Sequence, residues 1–119
     1  MSSPSPIACD MTALDEAERE AHRAVSEAVF DQVSALRELS DGYALRLPAE
    51  TEVIQNAGAF VSRERLCCPF FRFSVEVSSE HGPVWLEMTG REGVKAFIEE
   101  SVLPYWDFAS SDGDGLSAD

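Results

Sequence analysis

Two cysteines stand side by side at Cys67 and Cys68, with Pro69 directly after them and Glu64 one helical turn before; a third, Cys9, lies near the amino terminus. Thiols of this kind do one of three things. As thiolates they hold soft or borderline ions such as Zn(II), Hg(II), Cu(I) or As(III); they attack electrophiles or disulfides; or they stay protonated and pack as small apolar groups. Adjacent cysteines close only a strained ring with each other, and three is an odd count, so a secreted disulfide framework is not expected. The expectation is free thiols, or thiolates on a metal.

Glu64 makes the pair more than a packing feature. With Val53 at zero and about 100° per residue, Ala57 falls at about 40°, Phe60 at about −20° and Val61 at about 80°; Glu64 falls at about 20°, Cys67 at about −40° and Cys68 at about 60°. The carboxylate is thus predicted in the middle of the apolar stripe. A lone ionised carboxylate there is expensive and must find a cation or donors. The structural solution is a salt bridge to Arg72 or Arg46; the chemical one is work beside Cys67 and Cys68, as proton acceptor or metal ligand. Glu18 repeats the anomaly in the first helix, with His22 one turn on. A Glu and a His at that spacing can share an ion, although Arg19 and Arg23 make surface ion pairing the simpler reading.

Cys9 is placed just before the first helix, where the helix dipole lowers a thiol's pKa. Cys67 and Cys68, at a helix C-terminus, feel the opposite effect and need Arg63, Arg65, Arg72 or a bound metal to ionise. If the two helices pack side by side, Cys9 approaches the Cys67–Cys68 turn. The candidate metal site is therefore Cys67, Cys68, Cys9 and Glu64, with room for a water or a substrate.

The elements that must position these groups follow from periodicity. Pro6 to Asp10 reads as an extended lead-in or brief strand. Thr12 is the expected N-cap of a long helix from about Ala13 to Leu39, with a stripe of Leu14, Ala17, Ala21, Val25, Ala28, Val29, Leu36 and Leu39 that stops at Asp41-Gly42. Tyr43, Leu45 and Leu47 alternate as a strand. A second helix runs from Pro48 with Val53, Ile54, Ala57, Phe60 and Val61 inward, and must stop at Cys67 or Cys68 because Pro69 forbids its continuation. Phe71, Phe73, Val75 and Val77 share one face of a strand that forms a hairpin with Val84–Met88. A last short helix spans Gly90 to about Leu103, and 107–119, acidic and rich in Ser and Gly, is expected to be disordered.

The stretch Glu64-Arg-Leu-Cys-Cys-Pro-Phe-Phe71, followed by Trp85-Leu-Glu-Met-Thr-Gly90, resembles a group of small, largely uncharacterised bacterial proteins carrying an E-x-x-C-C-P-F motif, some of them associated with heavy-metal or mercury resistance. Weaker echoes lie at Ile7–Asp10 and Glu18–His22, so the likeness spans Ile7 to Leu103. It implies a metal or thiol role without supplying a mechanism.

Size and charge narrow the field. The chain has 119 residues, 45% of them hydrophobic, enough for one core and one domain, placed at 1–106. A net charge of −13 repels phosphate backbones and anionic headgroups, so neither nucleic acid nor membrane is an expected partner. There is no membrane-length apolar run and no basic, apolar leader, and a cytoplasmic protein is expected. Asp112-Gly-Asp-Gly-Leu116 starts like a calcium loop but lacks the later ligands.

The predicted fold is α+β: two layers, with a three- or four-stranded antiparallel or mixed sheet packed against two longer helices plus a short C-terminal helix. The leading expectation for function is cytosolic soft-metal binding through the vicinal cysteine pair. One rival is a thiol-dependent redox or transfer enzyme in which Cys9 is the resolving partner. The other is a non-catalytic interaction module presenting Trp85, Tyr105 and Trp106, in which Trp85, taken as exposed on the outer face, suggests a homodimer or partner interface.

Overall fold

The computed structural model describes residues 7–10 and 12–105. Four strands, β1 (Ala35–Leu39), β2 (Gly42–Leu47), β3 (Phe71–Val77) and β4 (Val84–Gly90), pair antiparallel in the order β1-β2-β4-β3. Three helices, α1 (Glu16–Asp31), α2 (Thr51–Cys67) and α3 (Val94–Ser101), pack with this sheet, and a 3-10 turn follows at Leu103–Tyr105. The fold is α+β. α2 carries the chain from β2 past β4's position to the edge strand β3, and β4 then returns between them.

Strand alternation sorts the two faces of the sheet. Leu36, Leu45 and Leu86 stand in register across β1, β2 and β4, with Leu47 opposite Val84, and all five are buried. Beyond them lie the buried faces of the helices: Val29 and Phe30 from α1, Val53, Ala57 and Phe60 from α2, Val94 and Ile98 from α3. Phe60 joins the layers, with its ring edge-on to both Phe30 and Phe73 at 5.6 and 6.0 Å between centroids. The shared face of β3 opens outward along its length, from buried Phe71 to exposed Val75 and Val77.

Three sequence expectations are corrected here. The first helix begins later and ends earlier than predicted: its cap is Asp15, not Thr12, and it stops at Asp31. Residues 35–39 form β1, paired residue for residue with β2 through a turn at Ser40-Asp41. Leu36 and Leu39 fit a helical period, but the hairpin buries Leu36 against Leu45 and satisfies the backbone across the sheet. The inward stripe of α1 also shifts. Ala17 and Ala21 are exposed, while His22 and Phe30 are buried. Trp85 is on the outer face as expected but only 7% exposed, since the Arg37 guanidinium lies 4.0 Å above its ring. It therefore offers no open aromatic patch. Trp106, Asp112–Leu116 and the 107–119 tail lie outside the described residues.

Gly42 begins β2 where the backbone of β4 comes closest. A Cβ there would stand 2.0 Å from the Met88 carbonyl oxygen, so only glycine allows this pairing. No helix among the described residues is long and apolar enough to cross a membrane.

Candidate functional site

Pro69 fixes the end of α2. It keeps Cys68 out of helical geometry (φ −126°, ψ 73°), and the Cys68 N–H closes the last turn on the Glu64 carbonyl at 2.7 Å. Glu64, Cys67 and Cys68 thus occupy one helical turn. The segment before α1 crosses this turn: the Asp10 N–H donates to the Cys67 carbonyl at 2.6 Å, which leaves Cys9 beside Cys68. Asp10 then turns the chain toward α1, its carboxylate accepting from the Thr12 N–H and hydroxyl at 3.0 and 2.6 Å. Those bonds hold the Asp10 carboxyl below its ordinary pKa.

α1 packs on α2 and brings the fourth group. Asp15 and Glu18 form a reciprocal capping box that sets the helix start, and Glu18 is consumed there, exposed and away from the thiols. His22, two turns in, is 9% exposed and its Nε2 lies 2.6 Å from Glu64 Oε1. Its ring stacks on Phe60, and its Nδ1 is buried with no hydrogen-bond partner among the described residues.

Cys9, Cys67, Cys68, His22 and Glu64 line one cleft of 340 Å³, with Arg19 and Arg23 on its wall. The three thiols differ sharply in environment: Cys9 is exposed, Cys67 half-buried and Cys68 buried. A hydrogen bond from the Cys68 thiol holds Cys9 below the ordinary thiol pKa. That same bond, followed by burial and the nearby Glu64 carboxylate, pushes Cys68 far up. Cys68 therefore keeps its proton, shared between Cys9 and Glu64, and Cys9 is the easier of the two to ionise. Burial and Glu64 raise Cys67, partly offset by Arg19.

The structure thus brings Cys9, Cys67, Cys68 and Glu64 to one cleft. The reasons differ from those read in sequence. The lowered pKa of Cys9 owes nothing to a helix N-terminus, since α1 starts seven residues beyond it at Glu16. The partner of Glu64 is the imidazole of His22, not Arg72 or Arg46, which are exposed on the outer face of the sheet. Among the described residues no group of three or more His, Cys, Asp and Glu is arranged to hold a metal ion.

A larger cavity of 620 Å³ adjoins the cleft and shares Cys9, Arg23 and Glu64 with it; its apolar wall includes Phe30, Phe60, Phe71, Met88 and Phe97. Sequence reasoning missed this cavity and the role of His22. The signal for His22 was its place at the edge of the apolar stripe; the cavity had none, because its wall comes from five separate elements.

No protein-family model, curated protein or solved structure matches the chain.

Proposed function

We propose that the chain captures a soft, thiophilic metal or metalloid ion between Cys9 and Cys68, with Glu64 taking the proton that Cys68 must release. The observation that carries this reading is the cleft that Cys9, Cys68 and Glu64 share, with the easily ionised Cys9 thiol and the proton-holding Cys68 thiol on the same small volume. Soft ions prefer sulfur, and a two-sulfur site suits ions of low coordination number better than zinc, which takes four ligands. Cys67 stands on the same cleft as a third sulfur for an ion that needs one.

The proton path follows from the contacts. Cys9 is the entering ligand, exposed and the more readily ionised. Cys68 follows once its proton moves to Glu64, whose other oxygen remains oriented by the 2.6 Å bond from His22 Nε2. The overall charge of −13 favours approach of cations. Titration of reduced protein with arsenite, followed by ultraviolet thiolate charge transfer, tests the reading. Saturation at one ion per chain is expected, with loss of the band in Cys9→Ser and in Cys68→Ser; an unchanged band in both variants refutes it.

The same sulfur contact favours a second reading, thiol–disulfide exchange. The Cys9 thiolate would attack an organic disulfide, releasing one thiolate, and Cys68 would then displace the second thiol to give a Cys9–Cys68 disulfide. Reversible oxidation by a glutathione disulfide buffer, without loss of fold, would favour this chemistry over ion capture.

A further inference from the structure

We propose that the ligand of the thiol pair carries an apolar group of about one aromatic ring, seated in the adjoining 620 Å³ cavity, so that the site takes an organic trivalent metalloid such as an aryl arsenic(III) species. This deepens the ion-capture reading and rests on it.

Two observations meet here. The first is continuity: Cys9 and Glu64 belong to both the thiol cleft and the apolar cavity, so a substituent on an atom bound to Cys9 has the aromatic-walled space beside it. A cavity of roughly 150 Å³ lined by apolar side chains already accepts benzene, and the space here is several times larger. Phe30, Phe60 and Phe71 are buried residues whose rings nonetheless border this space.

The second is the place of Cys9 and Cys68 side by side on one small cleft. A linear two-coordinate ion needs its sulfurs separated by two full metal–sulfur bonds, and a one-valent organometal cation uses a single thiolate. A pyramidal arsenic(III) centre carrying one carbon substituent binds two sulfurs that lie close together. Its third bond, to carbon, then leaves the pair on one side. A dihydroxy aryl arsenic(III) compound is also uncharged, so the acidic protein does not repel it. In the condensation two As–O bonds break and two As–S bonds form. The two thiol protons leave with the hydroxides as two waters, and neither arsenic nor sulfur changes oxidation state.

The test compares phenylarsonous and methylarsonous acids on the full reduced chain, each affinity divided by that for dithiothreitol to remove intrinsic chemistry. A phenyl preference of about tenfold or more is expected from burial of the ring. Ser101 is exposed on α3 and borders the cavity, so Ser101→Trp should fill it, abolishing the phenyl preference while methylarsonous acid still binds. Circular dichroism checks that the variant is folded. Equal normalised affinities for the two acids overturn the inference. Arsenite separates the levels: binding of arsenite without a phenyl preference sinks this inference alone, whereas failure of arsenite and both organic arsenicals sinks the ion-capture reading as well.

Discussion

His22 and Glu64, 42 residues apart in the chain, share a 2.6 Å hydrogen bond on the wall of the thiol cleft. Each explains the other's presence in a mostly apolar layer. The carboxylate has a donor, and the imidazole has one of its two nitrogens satisfied. Removing either partner alone strands a polar group, so His22→Ala and Glu64→Ala should each cost about 1–3 kcal/mol in chemical denaturation. The double variant His22→Phe, Glu64→Leu should recover much of that loss, and strict additivity of the two single losses would argue against the pairing.

Cys9 should be the thiol that reacts first. Iodoacetamide should label it below the pH at which ordinary thiols react, with Cys68 protected by burial and by its shared proton. In Cys68→Ala the rate profile of Cys9 should move up toward the ordinary thiol range of about 8.5. A profile that stays in place would mean that the Cys68 thiol is not the stabilising group.

The same pair gives stability a pH dependence with a definite sign. Between the lowered pKa of Cys9 and the unfolded value of about 8.5, the unfolded chain binds more protons, and stability rises with pH. Above that value the unfolded chain has lost both thiol protons while folded Cys68 keeps its own, and stability falls. The difference in unfolding free energy between the wild type and a Cys9→Ala, Cys68→Ala variant should therefore peak near pH ~8.5. A flat difference from pH ~6 to ~10 would contradict the hydrogen bond between the sulfurs.

The outer face of the sheet offers a test away from the site. Arg37→Ala should uncover Trp85, shift its fluorescence to the red and cost about 0.5–1 kcal/mol. Unchanged emission would mean that the guanidinium does not shield the ring.

Gly42→Ala forces β2 and β4 apart, because the new methyl would meet the Met88 carbonyl oxygen. A loss of about 1–3 kcal/mol is expected from the displaced backbone. Little or no loss in thermal unfolding would show that the hairpin can shift to make room.

What could be read from sequence was what local rules govern. Pro69 dictates the end of α2, and the wheel position of Glu64 flags a carboxylate that needs a partner. The alternation of β3 and β4 fixes their pairing. The failures have physical causes too. Leu36 and Leu39 are three apart, which suits a helix, and only the competing backbone pairing with β2 decides for a strand. The partner of Glu64 depends on how α1 rests on α2, a long-range packing choice that no local periodicity encodes. Cys9 illustrates a right residue with a wrong reason, since its environment comes from a cross-chain thiol rather than from the helix that follows it.

The backbone bond from Asp10 to Cys67 ties the amino-terminal end of the described chain to the far end of α2. Any bridge from Cys9 to Cys68, whether an ion or a disulfide, would sew that junction shut and close a loop of roughly sixty residues, worth about 4 kcal/mol on chain-entropy grounds. Occupancy of the cleft would then be legible from outside as heat resistance: a cargo that fastens one end of the fold to another doubles as a rivet, and the melting temperature becomes its gauge.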